Sequence, residues 1–287
     1  MVGAAVCFSL MGVAVKAASN HYGAGEIVMY RALVGTAFMA LMLRLRRIPI
    51  KTTVPMLHLT RSLSGTTALC LWFIAIGALP LGMAMTLNYT SSIWIAVFVL
   101  GAHLVVKRKR LSAQDTTLAL AVLVGFVGVA LVLQPASTQG QWWPAVAGVV
   151  SGLLAGLAYL QLQRLGRAGE PVERVVFYFS ICGLIAGMLM ALLSARGFSA
   201  HSVVGIALLL AVGVLATLGQ WAMTRAYAIG RALANAALQY LGIAFSFLLG
   251  VWLFDDPVTT AAIAGMLLIV AAGIAAGRLA RAAPSQN

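Results

Sequence analysis

The sequence predicts an all-α polytopic membrane protein: ten transmembrane helices arranged as two inverted five-helix repeats. Three observations carry this. The chain of 287 residues is 62% hydrophobic and only 9% charged, with a mean hydropathy of +1.00, whereas a soluble domain holds about a quarter charged residues. Its apolar runs are close to the length a helix needs to cross the hydrocarbon, about 20 residues, and a membrane barrel would instead show alternating segments of about ten. The third is a polar-centred stretch, Leu79–Phe98 (LPLGMAMTLNYTSSIWIAVF), that returns in weaker form at Gly230–Leu249 (GRALANAALQYLGIAFSFLL). There Leu238, Gln239 and Tyr240 fall on Leu87, Asn88 and Tyr89, an offset of 151 residues.

Apolar runs between loop signals place the spans near 2–18, 25–43, 56–78, 82–105, 113–133, 144–164, 173–194, 203–227, 232–253 and 258–277. The first begins at Met1 with no basic segment before it, so it reads as a span although Val15-Lys16-Ala17 resembles a cleavage site. The second carries Arg31 and is followed by Arg44, Arg46, Arg47 and Lys51; the third carries Arg61 and ends in a turn at Pro80. The fourth is the Asn88-Tyr89-Thr90-Ser91-Ser92 helix, closed by Lys107–Arg110. After the fifth, the QGQWWP segment from Gln139 divides the chain into halves, 1–138 and 139–287. The sixth holds Gly148, Gly152 and Gly156, a small-xxx-small packing seam, and Arg164, Arg167 and Arg174 flank the loop that leads to the seventh. The eighth carries Gln220, Trp221 and Arg225, the ninth is the copy of the fourth, and the tenth ends at Arg278 and Arg281.

The formal net charge of +13 would suggest nucleic acid for a soluble protein. Here the basic residues gather in alternate loops, and the opposite loops hold only Arg196. By the positive-inside rule both termini are cytoplasmic, and the expected location is the cell inner membrane, with no nucleic-acid partner. Cys7, Cys70 and Cys182 fall inside spans without metal spacing and read as small buried residues.

Ala24-Gly25-Glu26 recurs as Ala168-Gly169-Glu170 at an offset of 144, and Thr66 falls on Thr217 at 151. Five spans per half is an odd number, so the second copy must be inverted, an arrangement in which carriers build their site at the repeat interface. The Lys16 and Arg31 pattern, Ala75–Pro80 running into Leu87–Ser92, and Ala226–Ala234 running into Tyr240 together resemble the drug/metabolite transporter superfamily in its ten-span form with two EamA-type repeats. The resemblance covers essentially the whole chain and implies a carrier working by alternating access, with export the expected direction. Two departures stand out. Ser92 and Ile243 replace the proline common in the fourth and ninth helices of that family, which puts the bend of those helices in question. The basic run Lys107–Arg110 replaces an acidic residue that Asp256 keeps in the second half.

Charges inside a bilayer cost roughly 2.5–3.5 kcal/mol each at a helix centre on the lower scales. Lys16, Arg31 and Arg61 read either as a cationic lining for a carboxylate or phosphate, or, for Lys16 and Arg61, as snorkelling side chains. Arg31, deeper in its span, favours the first. Asn235, Gln239, Gly242 and Ser246 share one face of the ninth helix, and Ala84, Asn88, Ser91 and Ile95 form the equivalent stripe of the fourth. Helix–helix hydrogen bonding is the plain account of such residues; their repetition in both halves points to a shared cavity, lined by spans one, three, four, six, eight and nine. Tyr89, Tyr240 and Trp221, beside Gln220, combine apolar bulk with a polar tip and would wall it, with Trp94 and Tyr159 at the same level. The expected substrate-binding set is Lys16, Arg31, Asn88, Tyr89, Trp94, Tyr159, Gln220, Trp221, Gln239 and Tyr240. Trp142 and Trp143 read as interfacial.

No zinc-protease, nucleophile-elbow or phosphate-loop motif is present. His21, His58, His103 and His201 fall near span ends without a carboxylate at ligand spacing and read as interfacial residues, so no catalytic residue, metal or cofactor is expected. No carboxylate sits at mid-membrane; Asp115, Asp255 and Asp256 are at span ends, and proton coupling would fall to Glu26, a histidine or the substrate itself. Exchange and facilitated diffusion are equally compatible. The expectation is a secondary transporter of a small carboxylate-bearing metabolite such as an amino acid, with a homodimer compatible. The competing readings are a carrier of a nucleoside-like or S-adenosylmethionine-like cation and a non-transporting scaffold.

Overall fold

The computed structural model describes residues 1–78, 81–102, 113–133, 142–194, 197–254 and 258–282. The side chain of Lys16, the run Lys107–Arg110, His103, Arg196, Asp255 and Asp256 lie outside the described residues. Twelve helices and no strands are described: α1 (Val2–Ala18), α2 (Ala24–Leu45), α3 (Pro55–Ala78), α4 (Leu81–Tyr89), α5 (Ser91–Gly101), α6 (Ala113–Leu133), α7 (Trp142–Arg167), α8 (Val172–Leu193), α9 (Val203–Ile229), α10 (Ala232–Gln239), α11 (Leu241–Phe254) and α12 (Thr260–Ala282). Among them α2, α6, α7, α8, α9 and the α10–α11 pair are long and apolar enough to cross a membrane. The fold is that of a multi-pass membrane protein.

The distribution of side chains is inside-out. Leu193 and Val203 are each 86% exposed and Trp252 78%, which suits a surface bathed in lipid and would be unsuitable in water. Ser9, Ser62, Thr66, Ser91, Ser151, Thr217, Gln220 and Thr224 are buried instead, because a polar group in hydrocarbon must turn inward to a partner or to water. The principal packings each join a helix of the first 133 residues to one after residue 142: α2 with α8, α3 with α7, α6 with α12 and α1 with α9.

The sequence reading draws spans four and nine as continuous helices. In the structure each is bent, at Thr90 and at Tyr240, and divides into α4–α5 and α10–α11. No proline is needed. Thr90 N–H bonds to Leu87 O at 3.3 Å, and its Oγ1 donates to the same carbonyl, which tightens one turn and tilts the helix. Tyr240 N–H makes the equivalent short-range bond to Ala237 O. α7 presses into the first bend through Gly152, where an added Cβ would meet Thr90 Oγ1 and lie 2.7 Å from Leu87 O. Gly152→Val is therefore expected to lower stability by about 1–3 kcal/mol through overpacking. Its melting temperature in detergent should fall clearly below wild type; an unchanged value would show that the bend yields freely.

Candidate functional site

Between the bent helices lies a cavity of about 240 Å³, on the order of eight liquid-water volumes. α3 contributes Arg61, Gly65 and Trp72; α4 contributes Asn88 and Tyr89; α7 contributes Tyr159; α9 contributes Gln220. α10 and α11 bring Gln239, Gly242 and Ser246, while Arg31 reaches in from α2 and Phe179 from α8. Phe8, Ser9 and Met11 of α1 complete one wall. No carboxylate is among the described lining residues.

Several polar atoms of the wall are held by protein partners. Asn88 Nδ2 donates to Ser151 Oγ (2.7 Å), and Tyr227 OH donates to Gln239 Oε1 (3.2 Å). Tyr159 stacks on Tyr227, with ring centroids 5.2 Å apart, and lines the cavity together with Arg31 and Arg61. Ser9 Oγ is bound at the carbonyls of Ala5 and Gly242, which ties α1 to α11. Gln220 Nε2 and Arg61 Nε are buried with no hydrogen-bond partner.

Of the ten residues expected at the site, six line this cavity: Arg31, Asn88, Tyr89, Tyr159, Gln220 and Gln239. Lys16 is on α1, with its side chain outside the described residues. The other three are elsewhere. Trp94 stacks on Phe98 beside Gly156 of α7. Tyr240 is wholly buried behind Tyr89, ring centroids 6.1 Å apart, against Gly125 of α6. Trp221 turns away from the cavity; its Nε1–H reaches Glu173 Oε1 at 3.3 Å and Arg225 lies over its ring. Asn235, on the polar stripe of the ninth span, caps the end of α9 by donating to Ala226 O rather than facing the cavity. Arg61 does not snorkel. It is 2% exposed, lines the cavity and packs its guanidinium over the Phe179 ring at 4.4 Å.

The histidines also depart from expectation. His58 Nε2 is 2.9 Å from Glu170 Oε2, with both side chains buried. Arg174 Nη1 donates to the same oxygen at 2.9 Å and Thr52 Oγ1 to Glu170 Oε1 at 2.7 Å. His201 Nε2 is 3.4 Å from Glu26 Oε1, whose other oxygen accepts from Ser199 N–H. Spacing along the chain hid both pairs, because each joins residues more than 110 positions apart. Asp115 and Arg231 form a third such pair.

Burial disfavours the charge on Glu170, yet the hydrogen bonds from Thr52, His58 and Arg174 outweigh it and hold its carboxyl below the ordinary value of 4.5. A depressed folded value means that Glu170 contributes its full stability above the ordinary range and loses it as pH falls through the lower folded value. The melting temperature of wild type should thus exceed that of Glu170→Gln at neutral pH, and the gap should close only in acid below the ordinary glutamate range. A gap constant with pH would exclude this ionisation as its source.

The first half matches the model of the EamA-like transporter family, over residues 1–134. The pseudopaline exporter CntI of Pseudomonas aeruginosa (strain UCBPP-PA14) is 32% identical over 284 residues, covering 96% of this chain and 93% of that protein. The riboflavin transporter of Rhizobium johnstonii is 29% identical over 257 residues, covering 88% and 81%. A solved crystal structure superposes with a TM-score of 0.79 over 98% of this chain and 97% of the other, at 18% identity, a likeness of fold alone.

Proposed function

The chain belongs to the EamA-like transporter family and is a membrane transporter, and from that premise we propose that it exports a small carboxylate-bearing metabolite by alternating access. The observation that carries the substrate class is the cavity wall: arginine, amide and phenol groups with no carboxylate among the described lining residues. Arg31 anchors the anionic group, with Lys16 on the neighbouring α1. Asn88, Gln220 and Gln239 fix polar atoms, and Tyr89 and Tyr159 pack the remainder. A permanent cation would find aromatic faces and neutral oxygens here, but beside two arginines and with no carboxylate among the described lining residues. Outward direction takes its support from the similarity to a protein named as an exporter.

In this reading α4–α5 and α10–α11 each form one bent span, so that ten spans make two inverted repeats of five, in the inner membrane with both termini cytoplasmic. Two features support it. Exchanging the halves maps the main packings onto themselves: α2 with α8, α6 with α12, and α3–α7 onto α9–α1. The buried pairs obey the same exchange, since Glu170 lies 144 residues after Glu26 and His201 lies 143 after His58. Each pair ties one half to the other, at opposite ends of the bundle. Their alternate opening is how the two faces would take turns.

The test is a thermal-shift screen of the detergent-purified chain against metabolites grouped by charge, followed by counterflow in proteoliposomes. A ligand that binds only the native state raises stability with its concentration over Kd. Stabilisation and counterflow by carboxylates are expected; a response confined to cations would overturn the substrate class.

A further inference from the structure

We propose that the transported solute is a dianion, recognised by two guanidinium anchors, Arg31 and Arg61, of which Arg61 is the selectivity residue for the second negative charge. This rests on the reading of the cavity as the transport site and deepens it.

The argument is one of charge and of donors. Arg61 is 2% exposed, and a guanidinium keeps its charge at any physiological pH. Its neighbours are neutral. Phe179 offers a ring face at 4.4 Å, and Tyr159 lines the same cavity. Cation–π contact lessens the cost of a buried cation without cancelling its charge. The carboxylates described elsewhere in the protein are engaged at the helix ends: Glu26 with His201, Asp115 with Arg231, Glu170 with His58 and Arg174, Glu173 with Arg46. None lines the cavity. Two positive charges, the buried Arg61 and the half-buried Arg31, thus face one space with no negative partner among the described residues, and an ion brought in from solution is what can balance them. One carboxylate would leave a guanidinium uncompensated.

The hydrogen-bond inventory agrees. Among the described residues Arg61 Nε and Gln220 Nε2 are buried donors without acceptors, and the acceptor Gln239 Oε1 is already taken by Tyr227. The cavity has a surplus of donors, and a second carboxylate or a phosphate supplies the acceptor oxygens that one carboxylate lacks.

Local sequence shows how Arg61 is aimed. Gly65 is four residues on and therefore one turn along the same face of α3. A Cβ at Gly65 would collide with Arg61 Nη1 and come within 3.0 Å of Phe179. Glycine at this position leaves the room in which the guanidinium lies beside the phenyl ring. Because the colliding atom is the end of a flexible side chain, Gly65→Ala should fold and displace the guanidinium while keeping the charge.

The experiment is isothermal titration calorimetry of the detergent-purified full chain with succinate and glutarate, with butyrate as the size-matched monoanion, and with inorganic phosphate. Wild type is expected to bind at least one dianion ten times or more tighter than butyrate. In Arg61→Gln that advantage should vanish, the affinity for succinate or glutarate falling far more than that for butyrate; Gly65→Ala should reduce it, and Arg61→Lys should restore part of it. Preference for succinate or glutarate over phosphate assigns the dicarboxylate class, and the reverse assigns phosphate esters. Equal binding of dianion and monoanion in wild type, or an unchanged dianion advantage in Arg61→Gln and Gly65→Ala, overturns the proposal and leaves the monocarboxylate reading standing. No anion binding to wild type would sink the site reading itself, and with it this inference. Failure of Arg61→Gln to fold would leave Gly65→Ala to decide.

Discussion

Arg31→Ala is expected to abolish ligand-dependent stabilisation and to lower transport on the order of 100-fold, while the protein without ligand melts no lower than wild type. The two halves of that expectation come from one fact. Arg31 borders the main cavity and also a smaller void lined by Ser180, Thr217 and Gln220, with no carboxylate in either wall. Removing one member of a buried, hydrogen-bonded charge pair costs about 2–5 kcal/mol, and 2.7 kcal/mol is about 100-fold in affinity. That loss applies only when the anion is present. In the empty protein the same side chain is an unbalanced charge within the membrane, which is a burden rather than a support. Thermal melts with and without the best carboxylate from the screen, beside counterflow rates, provide the check. A variant that melts lower and still binds would make Arg31 a structural residue and would remove the anchor from the proposed site.

Glu170→Ala is expected to be the most destabilising single change at the rim. Glu170 accepts from Thr52 and Arg174 and pairs with His58, and all but Thr52 are buried. Truncating a buried partner strands the others, at a cost of about 3–5 kcal/mol. Arg174 would keep its bond to Pro49 O at 2.9 Å, and the remaining donors would lose theirs. Glu26→Ala should cost less. It strands His201, whose side chain is 30% exposed and can turn to water, and one backbone N–H. Comparison of the two melting temperatures tests the ordering, and equal losses would mean that the contacts around Glu170 contribute nothing beyond its histidine.

What was legible in the sequence came from features with a fixed period. Apolar runs of membrane-spanning length, the Asn88 and Gln239 helices and the Ala-Gly-Glu repeat all lie within short windows, and burial of backbone polar groups forces such runs into helices whatever surrounds them. The EamA-like resemblance followed from the same windows and is matched by the family model and a 32% identical relative. Arg31, Asn88 and Gln239 were visible because a charge or amide in an oily helix is rare enough to demand a reason. Trp94, Trp221 and Tyr240 lack that contrast: an aromatic ring is equally at home in packing and in a cavity, and the helices packed against it decide which.

Class, helical content and the presence of polar groups within apolar helices were therefore determined by the sequence alone, since each depends only on the transfer of local groups between water and lipid. The tertiary structure decided which of those groups meet. His58 with Glu170, His201 with Glu26, and Arg61 with Phe179 join positions from about 110 to 175 residues apart, and no periodicity along one helix encodes the neighbour that another helix brings. Arg61 has the same residue type and the same apolar setting whether it snorkels to a headgroup or turns to a cavity. The packing of α3 against α7 and α8, with Gly65 making room, settles the direction.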